Sequence, residues 1–554
     1  MLYSDVGRSK VKCVLYEYVG NAGSVWEIGE SLMTKRMSGM ELTRRNFVKL
    51  GAGAAAVAAT SGRTVHAQPK RDRPNILFMM CDQFRGDCIG AGGNPAIKTP
   101  NFDRIAEEGI RFRRAYSCTP TCTPARSALL TGLSPWHHGM LGYGRVAERY
   151  PIETPRALSD AGYYTMGIGK MHWHPQRNKH GFHEVLLDES GRVESPDFRS
   201  DYRAWFVSEA PNLNPDATGI EWNDYRSKTY VLPERLHPTH WTGETAVRFL
   251  RDYNRPQPFF LKVSFARPHS PYDPPERFMR MYQDADLPGA VVGTWAARYA
   301  RRSGKDFTIW HGDLGPDQVR RSRQGYYGSI SFIDEQIGRI LEVLEQRGWL
   351  DETLMIFTAD HGDMTGDHHL WRKSYAYEAS ARIPMLMRWP TGLVAAKRGQ
   401  VSAHPVELRD ILPTFLEAAG APGAEKLDGR SLLALARGQA SGWRPYIDLE
   451  HDICYSPSNH WSALTDGRFK YIFHARDGEE QLFDLEHDPG ELIDLAADPA
   501  HGEALRTWRS RLIDHLAERG ERFVKNGTLA LRPERMLYSP NYPGCSCHPV
   551  KRPG

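Results

Sequence analysis

NILFMMCDQ, residues 75–83, is a continuous apolar run over Asn75–Met80 that stops on Asp82 and Gln83. A run of that length without apolar–polar alternation reads as a strand covered on both faces. Three more stretches have the same form: YYTMGI (163–168), PFFLKVSF (258–265) and TLMIFT (353–358). Helical patterns lie between them. TPRALSDAG ends at a capping glycine, Gly162, and TGETAVRFLRD opens on Thr242 as a capping residue. SFIDEQIGRILEVLEQRG sets Ile333, Ile337, Ile340, Leu341 and Leu344 on one stripe and stops at Gly348. Strands alternating with helices predict an α/β fold, a large mostly parallel sheet flanked by helices.

The residues just past each apolar run carry the chemistry. The first run delivers Asp82 and Gln83, the second Lys170, His172 and His174, the third His269, and the fourth Asp360, His361 and Asp363. In open α/β sheets the ligand crevice lies beyond the carboxyl ends of the strands, so these residues are expected to share one site. Asp82, Gln83 and Asp360 offer the hard oxygens that Ca2+, Mg2+ or Mn2+ takes, and His361 adds a nitrogen. Lys170, His172, His269 and Lys373 are cations or proton carriers suited to an anionic substrate. The expectation is a metal beside an oxyanion; the alternative is a set of ion pairs between these carboxylates and lysines.

SCTPTCTPARSALLTG, residues 117–132, comes after a helix NFDRIAEEG that closes at Gly109 and a strand IRFRRAYS. It places Cys122 at the start of a new helix, where free amide N–H groups and the helix dipole favour negative charge. Pro124 suits the first turn, and Arg126 lies one turn in, aimed at the same anion. A nucleophile in an anion cradle is one reading of Cys122; a Cys118–Cys122 disulfide or an inert thiol is the other.

Cys122-Thr-Pro-Ala-Arg126 with SALLTG resembles the signature of the formylglycine-dependent sulfatases, of alkaline-phosphatase-like fold. PNILFMMCDQ, GYYTMGIGKMHW, ARPHSPY, TADHGDMTGDHHLWRKSYAYE and QLFDLEHDPGELIDLA are similar to that family's other blocks, in its order, from Arg73 to Ala496. The resemblance implies that Cys122 is oxidised to formylglycine by a maturase, either a formylglycine-generating or an anaerobic enzyme. It implies one divalent metal, with Ca2+ the first choice and Mg2+ or Mn2+ the alternatives, held by Asp82, Gln83, Asp360, His361 and the modified Cys122. One hydroxyl of the aldehyde hydrate, held by Arg126, would attack the sulfur of a sulfate ester. His269 and Lys373 would assist the leaving alcohol, His172 would take the second hydroxyl's proton, and Lys170 would orient the formyl group. Ala125 and Gln83 are variants shared with phosphonate monoester and phosphodiester hydrolases on the same scaffold, which are the alternative activity. An inactive exported binding protein is a further one.

The remaining chain bounds these readings. Its 554 residues carry 71 Lys+Arg against 67 Asp+Glu, a net charge of +4, which gives no nucleic-acid footprint. No run of about 18 apolar residues marks a membrane span. Met40–Thr60 carries Arg44–Arg45 before a small, weakly apolar stretch, with a small-residue cleavage point after Ala67. It resembles a twin-arginine signal, implying the translocase as partner and a periplasmic or secreted location. The expected layout is an upstream extension over 1–39, with Met40 as an alternative start, then the signal over 40–67. A catalytic domain comes next over 74–440, and a C-terminal subdomain and tail over 441–554. RPYIDLE, HWSALTDGRFKYIFH and QLFDLEHD, then GEALRTWRSRLIDHLAERG, predict a smaller antiparallel sheet with a packed helix. Glu450, His451, His460 and Trp461 either reach the pocket or belong to that sheet, and His137 and His138 are equally open. Cys545, Cys547 and His548 look like a metal fragment lacking a second ligand pair. The substrate expected is a sulfated small molecule or glycan.

Overall fold

The computed structural model describes residues 72–544. The expectations for 1–39, for the twin-arginine stretch 40–67, and for Cys545, Cys547 and His548 lie outside the described residues. In chain order the strands are β1 (Asn75–Asp82), β2 (Ile110–Phe112), β3 (Ala115–Tyr116), β4 (Tyr164–Gly169), β5 (Glu184–Leu187), β6 (Phe259–Pro268) and β7 (Thr353–Ala359). They continue with β8 (Met385–Arg388), β9 (Gln400–Ser402), β10 (Val406–Glu407), β11 (Ile447–His451), β12 (Trp461–Thr465), β13 (Phe469–His474) and β14 (Glu480–Asp484), and end with the short pair β15 (Val524–Lys525) and β16 (Thr528–Leu529).

Eight strands form the large sheet in the order β5-β4-β6-β1-β7-β8-β2-β9. From β5 to β7 all neighbours run parallel. Strand β8 is antiparallel to both neighbours, β7 and β2, and β2 pairs parallel with β9. The four apolar runs are therefore four adjacent strands, β4-β6-β1-β7. Every residue of β1, β6 and β7 is buried, as a strand covered by helices on both faces requires. Their parallel direction brings Lys170, His269, Asp82 and Asp360 to one edge.

Three local expectations need correction. The helix expected to open at Thr242 begins one turn earlier and spans Pro238–Asp252. Pro238 takes the first helical position, and His237 caps it by accepting from the Thr239 N–H at 3.1 Å. The helix carrying the Ile333 stripe starts at Pro316 and runs to Gln346. Gly325 and Gly328 hide its first half from a propensity reading, yet Gly325 sits there for packing: a Cβ would meet Ser227 Oγ at 2.0 Å. IRFRRAYS is two strands rather than one. β2 enters the large sheet while β3 pairs with β10 in a separate two-stranded ladder.

The strands β11-β12-β13-β14 form an antiparallel sheet. Leu464, Tyr471, Phe473 and Leu482 pack on Trp508, Leu512 and Leu516 of the helix Gly502–Leu516. Leu449, Ala463, Ile472 and Phe483 pack with Tyr375 and Tyr377, which lie just after Lys373 in the chain. After the helix the chain returns over residues 139–145, with Ser539 N–H donating to Gly139 O at 2.8 Å and Leu141 N–H to Leu537 O at 3.0 Å. Among the described residues no helix is long and apolar enough to cross a membrane.

Candidate active site

Strand β1 bulges between Cys81 and Asp82, and Gln83 turns left-handed with φ 68°, so the chain leaves the sheet as the first acid is delivered. Asp360 and His361 come directly after the neighbouring β7. Cys122 opens the helix Cys122–Thr131 from the other side. One donor atom each from Asp82, Cys122, Asp360 and His361 lies within 4.8 Å of the others, and all four residues are buried. Cys122 Sγ is 3.2 Å from His361 Nε2 and 3.7 Å from Asp82 Oδ1. His361 Nδ1 faces the Gly362 carbonyl at 2.9 Å. A carbonyl only accepts, so Nδ1 carries a proton and Nε2 is the atom turned toward the cluster, the orientation of a metal-ligating histidine. Two carboxylates, an imidazole nitrogen and a sulfur position around one point fit a single divalent ion.

Charge is balanced around this point by buried cations. Arg126 Nε donates to Asp360 Oδ2 at 2.9 Å and Nη2 to Asp82 Oδ2 at 3.2 Å, while Nη1 donates to Lys170 O and Ser264 Oγ. The guanidinium thus ties the two carboxylates together, where the sequence suggested it would face the substrate anion. Lys170 Nζ lies 2.6 Å from Asp82 Oδ2. Lys373 Nζ donates to Gln83 Oε1 at 2.7 Å and is 2.8 Å from His269 Nε2. His269 Nδ1 faces the Ser270 carbonyl at 2.9 Å, so Nε2 is the acceptor of the Lys373 ammonium. Asp363, the last acid of the β7 end, orients Gln83 by accepting from its Nε2, and is itself held by Tyr272 Oη.

The field derives from this geometry. Burial and Asp82 push the Cys122 thiol up, but Lys373, His361 and Lys170 outweigh them and hold it below its ordinary value. Burial opposes ionisation of Asp82, and Lys170, Arg126 and Lys373 nevertheless hold its carboxyl well below the usual range. Burial, with Lys373 beside it, pushes His269 down, and burial with Arg192 and Lys170 does the same to His172.

His172 sits at φ 60°, a left-handed turn held by one carboxylate. Glu189 Oε1 accepts from the N–H groups of Met171 and His172, each at 2.9 Å, and Arg192 closes its other oxygen. Tyr143 Oη lies 3.4 Å from His172 Nε2. His174 turns away and pairs with Glu194 at 2.8 Å. Glu189 and the indole of Trp222, which stacks on His269 with ring centroids 3.7 Å apart, have no signature in the sequence. Trp222 lies in a stretch with neither apolar period nor motif, and Glu189 follows β5, whose apolar run Val185–Leu187 is shorter than the four runs read as strands.

Cys118 and Cys122 carry free thiols, so the disulfide alternative does not hold; the Cys118 thiol points to Glu407 instead. Glu450 is taken by Arg519 through two bonds of 2.7 and 2.9 Å. Trp461 Nε1 donates to Ser374 O at 3.0 Å, and His451 Nδ1 faces Asp452 O. His460 is buried, its Nε2 3.8 Å from Asp452 Oδ1. His137 pairs with Asp428, while His138 is buried and accepts from the Met140 N–H.

Residues 74–421 match the sulfatase family, and residues 366–518 match the C-terminal region of N-sulphoglucosamine sulphohydrolase. An arylsulfatase of Clostridium perfringens is 39% identical over 473 residues, 82% of this chain and 97% of the relative. A choline-sulfatase of Rhizobium meliloti is 30% identical over 77% of this chain and 83% of the relative. The crystal structure of a phosphonate monoester hydrolase of Agrobacterium radiobacter superposes with TM-score 0.67 at 27% identity, covering 80% of this chain and 96% of that one. Together with a strand-end site of two carboxylates, a helix-mouth cysteine and surrounding cations, these matches show that the chain belongs to the sulfatase family and is a sulfuric ester hydrolase.

Proposed function

We propose that the protein is an exported sulfatase whose nucleophile is formylglycine made from Cys122, with one divalent cation, Ca2+ in the first place, at Asp82, Gln83, Asp360, His361 and residue 122. The observation that carries this reading is the convergence of Asp82, Cys122, Asp360 and His361 donor atoms within 4.8 Å of one another. Formylglycine supplies a hydrated aldehyde whose hydroxyl attacks sulfur, and the cation supplies Lewis-acid stabilisation of charge on oxygen.

The chain's own residues do the rest. Lys170 and Lys373 place ammonium groups where a sulfate's oxygens carry charge. Lys373 has one N–H on Gln83 Oε1 and one directed at His269 Nε2, which leaves its third for the alcohol oxygen. In this tautomer His269 holds the donor, and Lys373 gives the proton as the S–O bond breaks. His172, held neutral by burial and by Arg192, is suited to accept a proton from residue 122 afterwards. Maturation by a formylglycine-forming enzyme and twin-arginine export to the periplasm or beyond belong to the same proposal, and rest on the Cys122-Thr-Pro-Ala-Arg126 motif and on Arg44–Arg45. The substrate is a sulfated small molecule or glycan.

A second reading, phosphonate monoester hydrolysis, is favoured by Gln83 and Ala125 and by the phosphonate monoester hydrolase neighbour at TM-score 0.67. Comparing kcat/KM for 4-nitrophenyl sulfate and a 4-nitrophenyl phosphonate monoester separates the two. The sulfatase reading expects the sulfate to be the better substrate; faster phosphonate turnover reverses the assignment.

A further inference from the structure

Trp222 is a half-buried indole in the loop between the helix Asp201–Glu209 and the helix Pro238–Asp252. Its ring lies on the imidazole of His269 at 3.7 Å between centroids and 17° between planes. Lys170 Nζ sits 4.6 Å from the same ring's centroid. The indole therefore touches two of the groups that surround the reacting sulfate in the proposed function.

The loop is anchored. Tyr225, three residues on, is fully buried, lies against Trp371 with ring centroids 4.9 Å apart, and donates its N–H to Phe307 O at 3.1 Å. Asn223 between them is left-handed at φ 65°, which turns the chain so that Trp222 projects over the site while Tyr225 enters the core. His269 lies at the strand end, at the mouth of a crevice, yet it has no exposed surface. The indole is part of what covers it.

We propose that Trp222 is a positioning residue for departure of the alcohol, acting through His269 on Lys373. Two hydrogen bonds, Nδ1 to Ser270 O at 2.9 Å and Nε2 from Lys373 at 2.8 Å, lie in the imidazole plane and leave its faces unrestrained. A flat ring stacked on one face fixes that plane and keeps water from competing for Nε2. The Lys373 ammonium is then held with its third N–H toward the leaving oxygen. As the S–O bond breaks, its electron pair goes to that oxygen, which takes the Lys373 proton. The inference rests on the roles proposed for His269 and Lys373.

The test compares Trp222→Phe, which keeps a flat ring, with Trp222→Leu, which keeps apolar volume without one. Each is assayed on 4-nitrophenyl sulfate, whose phenolate leaves without a proton, and on phenyl sulfate, whose leaving group needs one. Trp222→Leu is expected to lower kcat on phenyl sulfate about tenfold or more. Its kcat on 4-nitrophenyl sulfate should stay within about threefold, with KM little changed, and Trp222→Phe should restore the rate on phenyl sulfate. His269→Ala serves as reference and should show the same leaving-group dependence more steeply. Equal losses on both esters, a change confined to KM, or no loss in Trp222→Leu would overturn the inference while leaving His269 in place. A His269→Ala enzyme equally impaired on both esters would instead overturn the underlying reading.

Discussion

The crevice at the ends of β4, β6, β1 and β7 and the C-terminal sheet β11–β14 are both full of buried charge, and they use it in opposite ways. In and around the C-terminal sheet, the buried carboxylates are tied to cations, while Arg532 keeps Nε and Nη1 without a hydrogen-bond partner among the described residues. Glu450 is chelated by Arg519, and Lys470 sits between Glu378 and Glu491 at 2.8 and 2.9 Å. Arg409 bonds Asp448, and Arg444 bonds Asp410. In the crevice the carboxylates also pair, with Arg126 and Lys170, but what sets the region apart is convergence. Asp82, Asp360 and His361 turn donor atoms toward a common point beside Cys122, and Lys373 keeps an N–H beyond its two partners. Burial of charge alone does not mark a site; ligand atoms from separate strand ends meeting at one point do.

Substitutions in the two regions sharpen the contrast. Cys122→Ala should remove sulfate ester hydrolysis by at least about 10³-fold in kcat/KM, with thermal unfolding nearly unchanged because a small buried side chain is lost. Lys373→Met should lower kcat by about 10²-fold, more on phenyl sulfate than on 4-nitrophenyl sulfate. Glu450→Gln should do the reverse. It leaves the Arg519 guanidinium buried against a neutral amide and is expected to cost about 3 kcal/mol in urea unfolding, while kcat of the folded enzyme stays within about twofold. A Glu450→Gln enzyme that is stable but has lost substrate affinity would bring the C-terminal sheet into the site and break the comparison.

The sequence displays the crevice well and the supporting residues poorly, for a physical reason. An apolar run covered on both faces is legible because burial restricts every position, and the polar residue ending it is conspicuous by contrast. Asp82, Lys170, His269 and Asp360 stand out in this way. Cys122 and Arg126 stand out through proline and helix-start chemistry, although Arg126 turns out to bind the carboxylates. Glu189 also follows a strand, but the three apolar residues of Val185–Leu187 are too few to stand out, and nothing in the stretch around Trp222 announces an indole that acts by contact. The early starts of the helices at Pro238 and Pro316 are obscured for a related reason. Gly325 reads as a helix breaker, yet it is needed where Ser227 approaches the helix.

Catalysis as proposed depends on Cys122 as the source of the nucleophile, and the tryptic peptide Ala115–Arg126 contains both Cys118 and Cys122. Mass spectrometry of this peptide, from a preparation that hydrolyses sulfate esters at full rate, tests the claim directly. The expected result is an aldehyde at residue 122 and an unmodified thiol at residue 118. Intact thiols at both positions in the fully active protein would contradict it.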